Sequence, residues 1–376
     1  MLENTTTKIS DFDYDLPQEL IAQTPIEPRD ASHLLVLNRA SRKIEHRHFR
    51  DIRTYLRPGD LLIANQSRVM PARLLGHRAE TGGAVEVLLL SERPDLGPDY
   101  WETLVRPGRR LREGSRIVIG DETGNDGEAK RRILLQAEIL QRTEAGGRIV
   151  RFTVENPEME RGSNQVIQQP TVCELIEQLG RMPLPPYIHE TLTDPERYQT
   201  VYARIIGSAA APTAGLHFTP HLLEQLRQKG VRIGFVTLHV GLDTFRPIEC
   251  EDFREHKMHS EEIDVDAPTA EMINETRRAG GRVVAVGTTA VRVIESVASV
   301  HEGRIEPYHG ATRLFITPGY RFKIVDAMIT NFHLPCSTLL LLVSAFAGKA
   351  LIEEAYQDAI RERYRFYSFG DAMLIL

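Results

Sequence analysis

The sequence predicts an α/β main domain with a small all-β barrel inserted into it. Three observations carry this. Between residues 61 and 152, short apolar or alternating runs are separated by glycine turns. From about residue 165 onward, helical and strand periodicities alternate. The first 60 or so residues are too few to bury a core of their own, so they join a larger body. The expected division is 1–61 with 153–376 as a discontinuous α/β catalytic domain, and 62–152 as the inserted barrel. An exposed loop tolerates such an insertion.

The barrel is read from Val85-Glu86-Val87-Leu88-Leu89-Leu90, Ile117-Val118-Ile119 and Ile149-Val150-Arg151-Phe152-Thr153-Val154. Turn signals stand between these runs at Gly82-Gly83, Gly97-Pro98, Pro107-Gly108, Asn125-Asp126-Gly127 and Gly146-Gly147. Short strands at regular spacing close into a barrel or stack as a sandwich. In the second part, Thr171 and Glu174 have the spacing of a capping box, and Val172, Leu175, Ile176 and Leu179 form one apolar face. Thr219-Pro220 opens another helix, carried by Leu222, Leu223 and Leu226 and ended at Gly230. A strand is expected over residues 231–238, a helix over 269–279 and a strand over 282–286. Gly287-Thr288-Thr289 then leads a helix to about Ser299.

With 41% hydrophobic and 26% charged residues in 376, the chain can bury a real core. Its cysteines, Cys173, Cys250 and Cys336, are far apart and form no CxxC. That disfavours a disulfide framework or a cysteine zinc site and suits a reducing cytoplasm. The first ten residues are polar, unlike a secretory signal. The longest apolar run, residues 339–347, falls far short of the roughly 20 residues that span a bilayer. A net charge of -6 does not announce a nucleic-acid partner. Residues 61–152 hold 15 Lys and Arg against 13 Asp and Glu, leaving -8 for the rest, so a polyanion would favour that segment.

No GxGxxG follows a strand and no Walker A motif is present, which disfavours an ordinary Rossmann methyltransferase. His256-Lys257-Met258-His259 supplies too few ligands for a metal and reads as a solvated loop. Gly287-Thr288-Thr289-Ala290-Val291-Arg292 is either an ordinary turn or a place where helix N–H groups hold an anion. Ala211-Pro212-Thr213-Ala214-Gly215-Leu216-His217-Phe218 lets backbone approach a ligand closely, with a histidine beside it. His239 and His333 likewise sit beside Gly or Pro after apolar runs, so the three histidines are either structural or part of a polar pocket. Arg106-Pro107-Gly108-Arg109-Arg110-Leu111-Arg112 is either a solvated hairpin or a phosphate-binding loop.

Taken in order, these and further segments resemble one family. They are Phe12-Asp13-Tyr14-Asp15-Leu16-Pro17 with Leu20-Ile21-Ala22-Gln23, Arg68-Val69-Met70-Pro71-Ala72-Arg73-Leu74, Pro183-Leu184-Pro185-Pro186-Tyr187-Ile188 and Glu196-Arg197-Tyr198-Gln199-Thr200-Val201-Tyr202. The 211–218 segment, Thr244-Phe245-Arg246-Pro247, the 287–292 segment, Ile329-Thr330-Asn331-Phe332-His333-Leu334-Pro335 and Tyr364-Arg365-Phe366-Tyr367-Ser368-Phe369-Gly370-Asp371-Ala372-Met373 complete the set. Each is weak alone, but the ordered set resembles the S-adenosylmethionine:tRNA ribosyltransferase-isomerases of queuosine synthesis from end to end. His33, Asp243 and Ala290 depart from that pattern, where arginine, glycine and serine are usual.

The resemblance implies a partner tRNA carrying 7-aminomethyl-7-deazaguanine at the wobble position, and S-adenosylmethionine as co-substrate. The ribosyl part moves to the aminomethyl nitrogen, adenine and methionine leave, and epoxyqueuosine results. Such chemistry needs a base beside the sulfonium, an acid for departing adenine and a neutral amine nucleophile, but no metal and no permanently bound cofactor. From residue chemistry, His217 or His333 is expected as acid or base, with Asp326 and Asp371 as candidate carboxylates. Thr213, Gly215, His239, Gly287, Thr288, Thr289 and Arg292 are expected around S-adenosylmethionine, with the two threonines on its carboxylate or ribose. Arg68, Arg73, Arg106, Arg109 and Arg110 are expected on tRNA phosphates. A monomer is expected rather than a homodimer, with no membrane contact. The competing readings are an RNA methyltransferase of atypical fold, which would yield S-adenosylhomocysteine, a non-catalytic tRNA-binding protein, and an acid–base enzyme acting on a small metabolite.

Overall fold

Aliphatic and β-branched runs form the strands of a large mixed sheet, and amphipathic segments with polar caps form its helices. The computed structural model describes residues 7–120, 134–143, 146–155, 170–241, 248 and 250–376. The turn at Asn125-Asp126-Gly127, the Asp243 departure and the Thr244-Phe245-Arg246-Pro247 motif lie outside the described residues.

The chain opens with short 3-10 turns, then β1 (His33–Asn38), β2 (Lys43–His48), β3 (Leu61–Asn65) and β4 (Ser67–Val69). Next come β5 (Arg73–Arg78), β6 (Ala84–Glu92), β7 (Tyr100–Arg106), β8 (Arg116–Ile119), β9 (Leu134–Arg142), β10 (Arg148–Glu155) and α1 (Val172–Leu179). They are followed by β11 (Ile205–Ser208), α2 (Pro220–Gln228), β12 (Arg232–Leu238), β13 (Glu261–Val265), α3 (Ala267–Arg278), β14 (Val283–Val286) and α4 (Gly287–Val300). The chain ends with β15 (Tyr308–Thr312), β16 (Ala327–Asn331), α5 (Thr338–Ala347), α6 (Lys349–Arg361) and β17 (Ala372–Ile375). The fold is thus mixed α/β.

Contacts divide the chain into two compact units, residues 1–68 with 184–376, and residues 69–183. In the first, nine strands pair in the order β15-β13-β12-β3-β14-β16-β17-β1-β2. The central run β12-β3-β14-β16 is parallel. Leu61–Asn65 and Val283–Val286 are buried along their whole length and almost entirely apolar, because both faces are covered. One face packs beneath α4, whose Val291, Val293, Ile294 and Val297 are buried, and the other beneath α2, through Leu222, Leu223 and Leu226. The expected caps are present: Thr219 accepts from Leu222 N, and Pro220 occupies the first turn of α2. The apolar run at 339–347 forms α5, capped by Ser337.

In the second unit, β10-β7-β6-β5-β8-β9 close into a ring of antiparallel pairs. Alternate residues such as Val85, Val87 and Leu89 point inward to a core with Trp101, Ile139 and Phe152. The boundaries differ from 62–152. β3 belongs to the large sheet, and α1, read above with the α/β part, buries Val172, Leu175 and Ile176 in the barrel core. Its amphipathic face was legible, but not which core would receive it. The Thr171–Glu174 capping box holds its start.

Candidate active site

A cleft of about 880 Å³, counting space open to solvent, lies at the carboxyl ends of the parallel strands, where open α/β sheets bind ligands. Three of these strands each hand over a piece of its wall. Val240 follows β12, Gly287-Thr288-Thr289 follow β14, and Thr330 to Leu334 run off the end of β16. Thr213 and Ala214, Tyr187, Met258, Glu261 and Tyr367 complete the sides.

The start of α4 faces this space. Its N-cap is Val286, which has no side-chain acceptor to offer, so the first N–H groups are not capped by a side chain. Gly287 has φ +87, a conformation open to glycine at little cost, and it turns the chain from strand to helix within one residue. Thr289 Oγ1 is buried there without a hydrogen-bond partner. Behind it, Arg292 pairs with Glu261, their side chains 5% and 2% exposed. Arg292 Nε also donates to Leu314 O at 3.2 Å, while its Nη2 is buried without a partner. Glu261 accepts from Gly241 N at 3.1 Å and lies 3.2 Å from His259 Nε2. Burial alone would raise its pKa, but the His259 hydrogen bond and the Arg292 charge bring it down to about 2, so it is ionised.

His333 lines the cleft, and its backbone is clamped from both sides. Its N–H donates to Tyr356 Oη at 2.9 Å, and Tyr14 Oη donates to its carbonyl. Nε2 lies 2.7 Å from Thr330 Oγ1. Burial lowers its pKa to about 3 and keeps the imidazole neutral. His217 is also neutral, pushed to about 3 by burial and by Arg29 and Arg365. It does not line the cleft. It stacks on Phe49 and bridges Ser32 Oγ, 2.8 Å from Nδ1, and Asn331 Nδ2, 3.4 Å from Nε2. Asn331 Oδ1 in turn accepts from Thr213 Oγ1 at 3.3 Å, so His217 braces the cleft wall from behind.

Thr213, Gly287, Thr288, Thr289, Arg292 and His333 are therefore brought together, and other expected residues are not. Gly215 packs away from the cleft, where a Cβ would meet Tyr202 Oη at 2.1 Å. His239 points elsewhere, against Gly207, and burial lowers its pKa. Asp326 sits just before β16, at the opposite end from His333, and accepts from Val283 N at 2.8 Å. Asp371 spends both oxygens on backbone, accepting from His33 N and Arg365 N at 2.7 Å each, and burial raises its pKa. The His256–His259 segment is less solvated than expected, since Met258 and His259 are half-buried beside the cleft. Among the described residues, no group of three His, Cys, Asp or Glu is placed to hold a metal. No helix among them is long and apolar enough to cross a membrane.

Sequence reading missed Glu261, Tyr187 and Tyr367. Tyr187 and Tyr367 stand 4.8 Å apart between ring centroids, and Tyr187 Oη lies 2.7 Å from Ser368 Oγ. Glu261 had no local signature, since its partner Arg292 is 31 residues away. The arginines of the barrel unit differ in kind. Arg73 is bound bidentately by Glu86, at 3.0 Å for both contacts. Arg68, in the first unit, pairs with Glu196. Arg106, Arg109 and Arg110 are exposed, and no carboxylate among the described residues pairs with them. Arg148, also missed, is buried and donates to Gly108 O at 3.0 Å, which holds the loop bearing Arg109 and Arg110.

The family described as queuosine biosynthesis protein matches residues 9–375. An S-adenosylmethionine:tRNA ribosyltransferase-isomerase of Symbiobacterium thermophilum is 58% identical over 98% of this chain and 100% of its own length. One of the same description from Moorella thermoacetica is 54% identical over the same shares. A crystal structure of an S-adenosylmethionine tRNA ribosyltransferase from Thermotoga maritima is 43% identical, with a TM-score of 0.52 over 98% of this chain and all of that one. This chain belongs to the queuosine biosynthesis protein family.

Proposed function

We propose that this chain is an S-adenosylmethionine:tRNA ribosyltransferase-isomerase. It moves the ribosyl part of S-adenosylmethionine to the aminomethyl nitrogen of 7-aminomethyl-7-deazaguanine at the tRNA wobble position. Epoxyqueuosine-tRNA, adenine and methionine are the products. The observation that carries this is the match of the family over nearly the whole chain, together with a cleft whose lining combines an anion site with aromatic walls.

The residues divide the work as follows. The uncapped N–H groups of α4, Thr288, Thr289 and Arg292 hold the methionine carboxylate, where helix dipole and guanidinium act together. The rings of Tyr187 and Tyr367 give a face on which a base can lie. His333, neutral in the cleft, accepts the proton next to the sulfonium, and His217 fixes Asn331 and through it Thr213. Proton donation to departing adenine needs a group that is protonated at neutral pH, and neither imidazole is one. Arg106, Arg109 and Arg110 meet tRNA phosphates. The chemistry needs no metal. We further propose that the barrel unit acts as an inserted domain, in a cytoplasmic monomer. Its closed ring of strands and separate apolar core support this.

The test is to label the ribose carbons and the methyl group of S-adenosylmethionine separately and follow both with the modified tRNA. Ribose label in the RNA, with methyl label leaving in methionine, is expected. Methyl label in the RNA, with S-adenosylhomocysteine as product, would overturn the reading.

A further inference from the structure

Tyr14 does not line the cleft, yet its hydroxyl touches two residues that do, His333 and Tyr367. It donates to the carbonyl of His333, and it shares a side-chain hydrogen bond with Tyr367. The ring needs neither bond to stay in place. It packs edge-on against Tyr356, with centroids 5.2 Å apart, and lies 6.3 Å from Phe366. A phenylalanine ring would make the same contacts. A hydroxyl taken largely out of water costs free energy unless it is hydrogen-bonded, so its two bonds are what set Tyr14 apart from an apolar neighbour.

The direction of those bonds follows from counting protons. Burial raises the pKa of Tyr14 and pushes that of Tyr367 up to about 12, so both hydroxyls keep their protons at neutral pH. A carbonyl oxygen only accepts, so the single Tyr14 proton goes to His333. Tyr14 therefore accepts from Tyr367, and the chain runs from Tyr367 through Tyr14 to the His333 carbonyl. Tyr367 is also held at its other end. Its φ is +70, a conformation that a tyrosine keeps only where its surroundings impose it. Its carbonyl accepts from Asn331 Nδ2 and Gly370 N, each at 3.0 Å, and its N–H donates to Phe332 O at 3.2 Å. The bond to Tyr14 fixes the far end of the ring.

We propose that Tyr14 is a positioning residue, whose hydroxyl holds the proton acceptor His333 and the ring face of Tyr367 in one geometry. This rests on the roles given to His333 and Tyr367 in the ribosyl transfer. Proton removal beside the sulfonium and departure of adenine take place on one bound molecule. A displacement of about 1 Å between the two walls can therefore cost about 100-fold in rate. Without the Tyr14 hydroxyl, the His333 carbonyl loses a donor and the Tyr367 hydroxyl loses its acceptor.

Tyr14→Phe removes the hydroxyl and keeps the ring. Single-turnover rates of the full chain on the modified tRNA, at saturating S-adenosylmethionine and per folded molecule, should fall by about 10- to 100-fold. Affinity for S-adenosylmethionine should change far less, because every residue that lines the cleft is still present. Tyr367→Phe breaks the same chain from its other end and should give a similar loss. In the double variant the two losses should not multiply, because both remove one connected unit. A wild-type rate per folded molecule in Tyr14→Phe would overturn the proposal, even with a lowered urea midpoint, because that marks a structural role alone. Losses that multiply in the double variant would overturn it as well. Should Tyr14→Phe fail to fold, Tyr367→Phe decides: a slowed rate supports the chain and a wild-type rate refutes it. If the wild-type chain releases no adenine from S-adenosylmethionine on the modified tRNA, the ribosyl-transfer reading falls and this proposal with it, whereas an active wild type beside an unaffected variant removes only the role of Tyr14.

Discussion

The cleft and the arginine loop of the barrel unit use the same side chain in opposite ways. Arg292 is buried, is paired with one carboxylate and keeps one donor unpaired. Arg106, Arg109 and Arg110 are exposed, and no described carboxylate pairs with them. A buried guanidinium is scarcely screened and has a fixed direction, so it discriminates one small ligand from another. Exposed guanidiniums act through a field that salt weakens, which suits a long polyanion whose phosphates repeat. Under the proposed function, the buried charge would serve selectivity and the exposed set attraction. Measurements that separate chemistry, stability and RNA binding can break or sharpen that division.

The largest expected effect is on chemistry. His333→Ala should slow turnover by about 10²- to 10⁴-fold, the range of one positioned proton-transfer group, with RNA binding little changed. His217→Ala should cost less, because His217 reaches the cleft only through Asn331. Single-turnover kinetics on the modified tRNA would check both. A near-normal rate for His333→Ala would return that residue to a structural role.

Next in size is a pH effect on stability. Both buried imidazoles have a folded pKa of about 3, against 6.5 when exposed. Below pH 6.5 the unfolded chain binds protons that the folded chain refuses, so stability falls as pH falls, down to about pH 3. At pH 5 each imidazole should have cost about 2 kcal/mol relative to neutral pH. Urea midpoints at pH 7 and pH 5 would show this, and His217→Gln should remove its share. An unchanged pH dependence in that variant would contradict the burial that keeps His217 neutral.

Why some of this was legible in the sequence, and some not, follows from range. Capping and periodicity are local, so α1, α2 and α4 could be read within a residue or two from Thr171, Thr219 and Gly287. The glycine–threonine turn was visible because a strand-to-helix junction writes itself into neighbouring residues. Glu261 was not, since only the pairing of β12 with β13 and the packing of α4 bring it to Arg292. Asp326 and Asp371 misled for a related reason. A lone carboxylate in sequence does not disclose that backbone N–H groups already occupy it, as Val283, His33 and Arg365 do here. The histidines were singled out as a group, yet only His333 reaches the cleft, because a loop position does not fix where a ring points.

On the RNA side, replacing Arg106, Arg109 and Arg110 together by Ala should weaken tRNA binding by about 10- to 100-fold at moderate salt. The slope of log affinity against log salt should flatten by about 2, since each phosphate contact on a single strand contributes about 0.7. Sequence preference should not change, because phosphate contacts carry no base information. A slope equal to that of the wild-type chain would remove these residues from the interface and leave their exposure without a use.

The smallest effect separates paired from unpaired arginines on the same surface. In register, Arg106 stands opposite Glu86, but both oxygens of Glu86 are taken by Arg73. Arg73 is therefore neutralised and Arg106 is not. An exposed pair of this kind contributes at most about 1 kcal/mol, so Arg73→Ala should barely move the urea midpoint. It should also weaken RNA binding less than any single change among Arg106, Arg109 and Arg110, because a phosphate would first have to displace Glu86. Glu86→Gln tests the same point from the other side. It removes the competing carboxylate while keeping the shape, frees Arg73 and takes a negative charge away from Arg106. Affinity for tRNA should then rise by a few-fold and the salt dependence should steepen. If Glu86→Gln leaves both unchanged while the triple arginine variant loses affinity, the loop binds RNA on its own and the neighbouring strand surface plays no part. If Arg73→Ala matches the triple variant, pairing with a carboxylate does not decide which arginines meet the RNA, and the contrast between neutralised and open charges on the barrel must be abandoned.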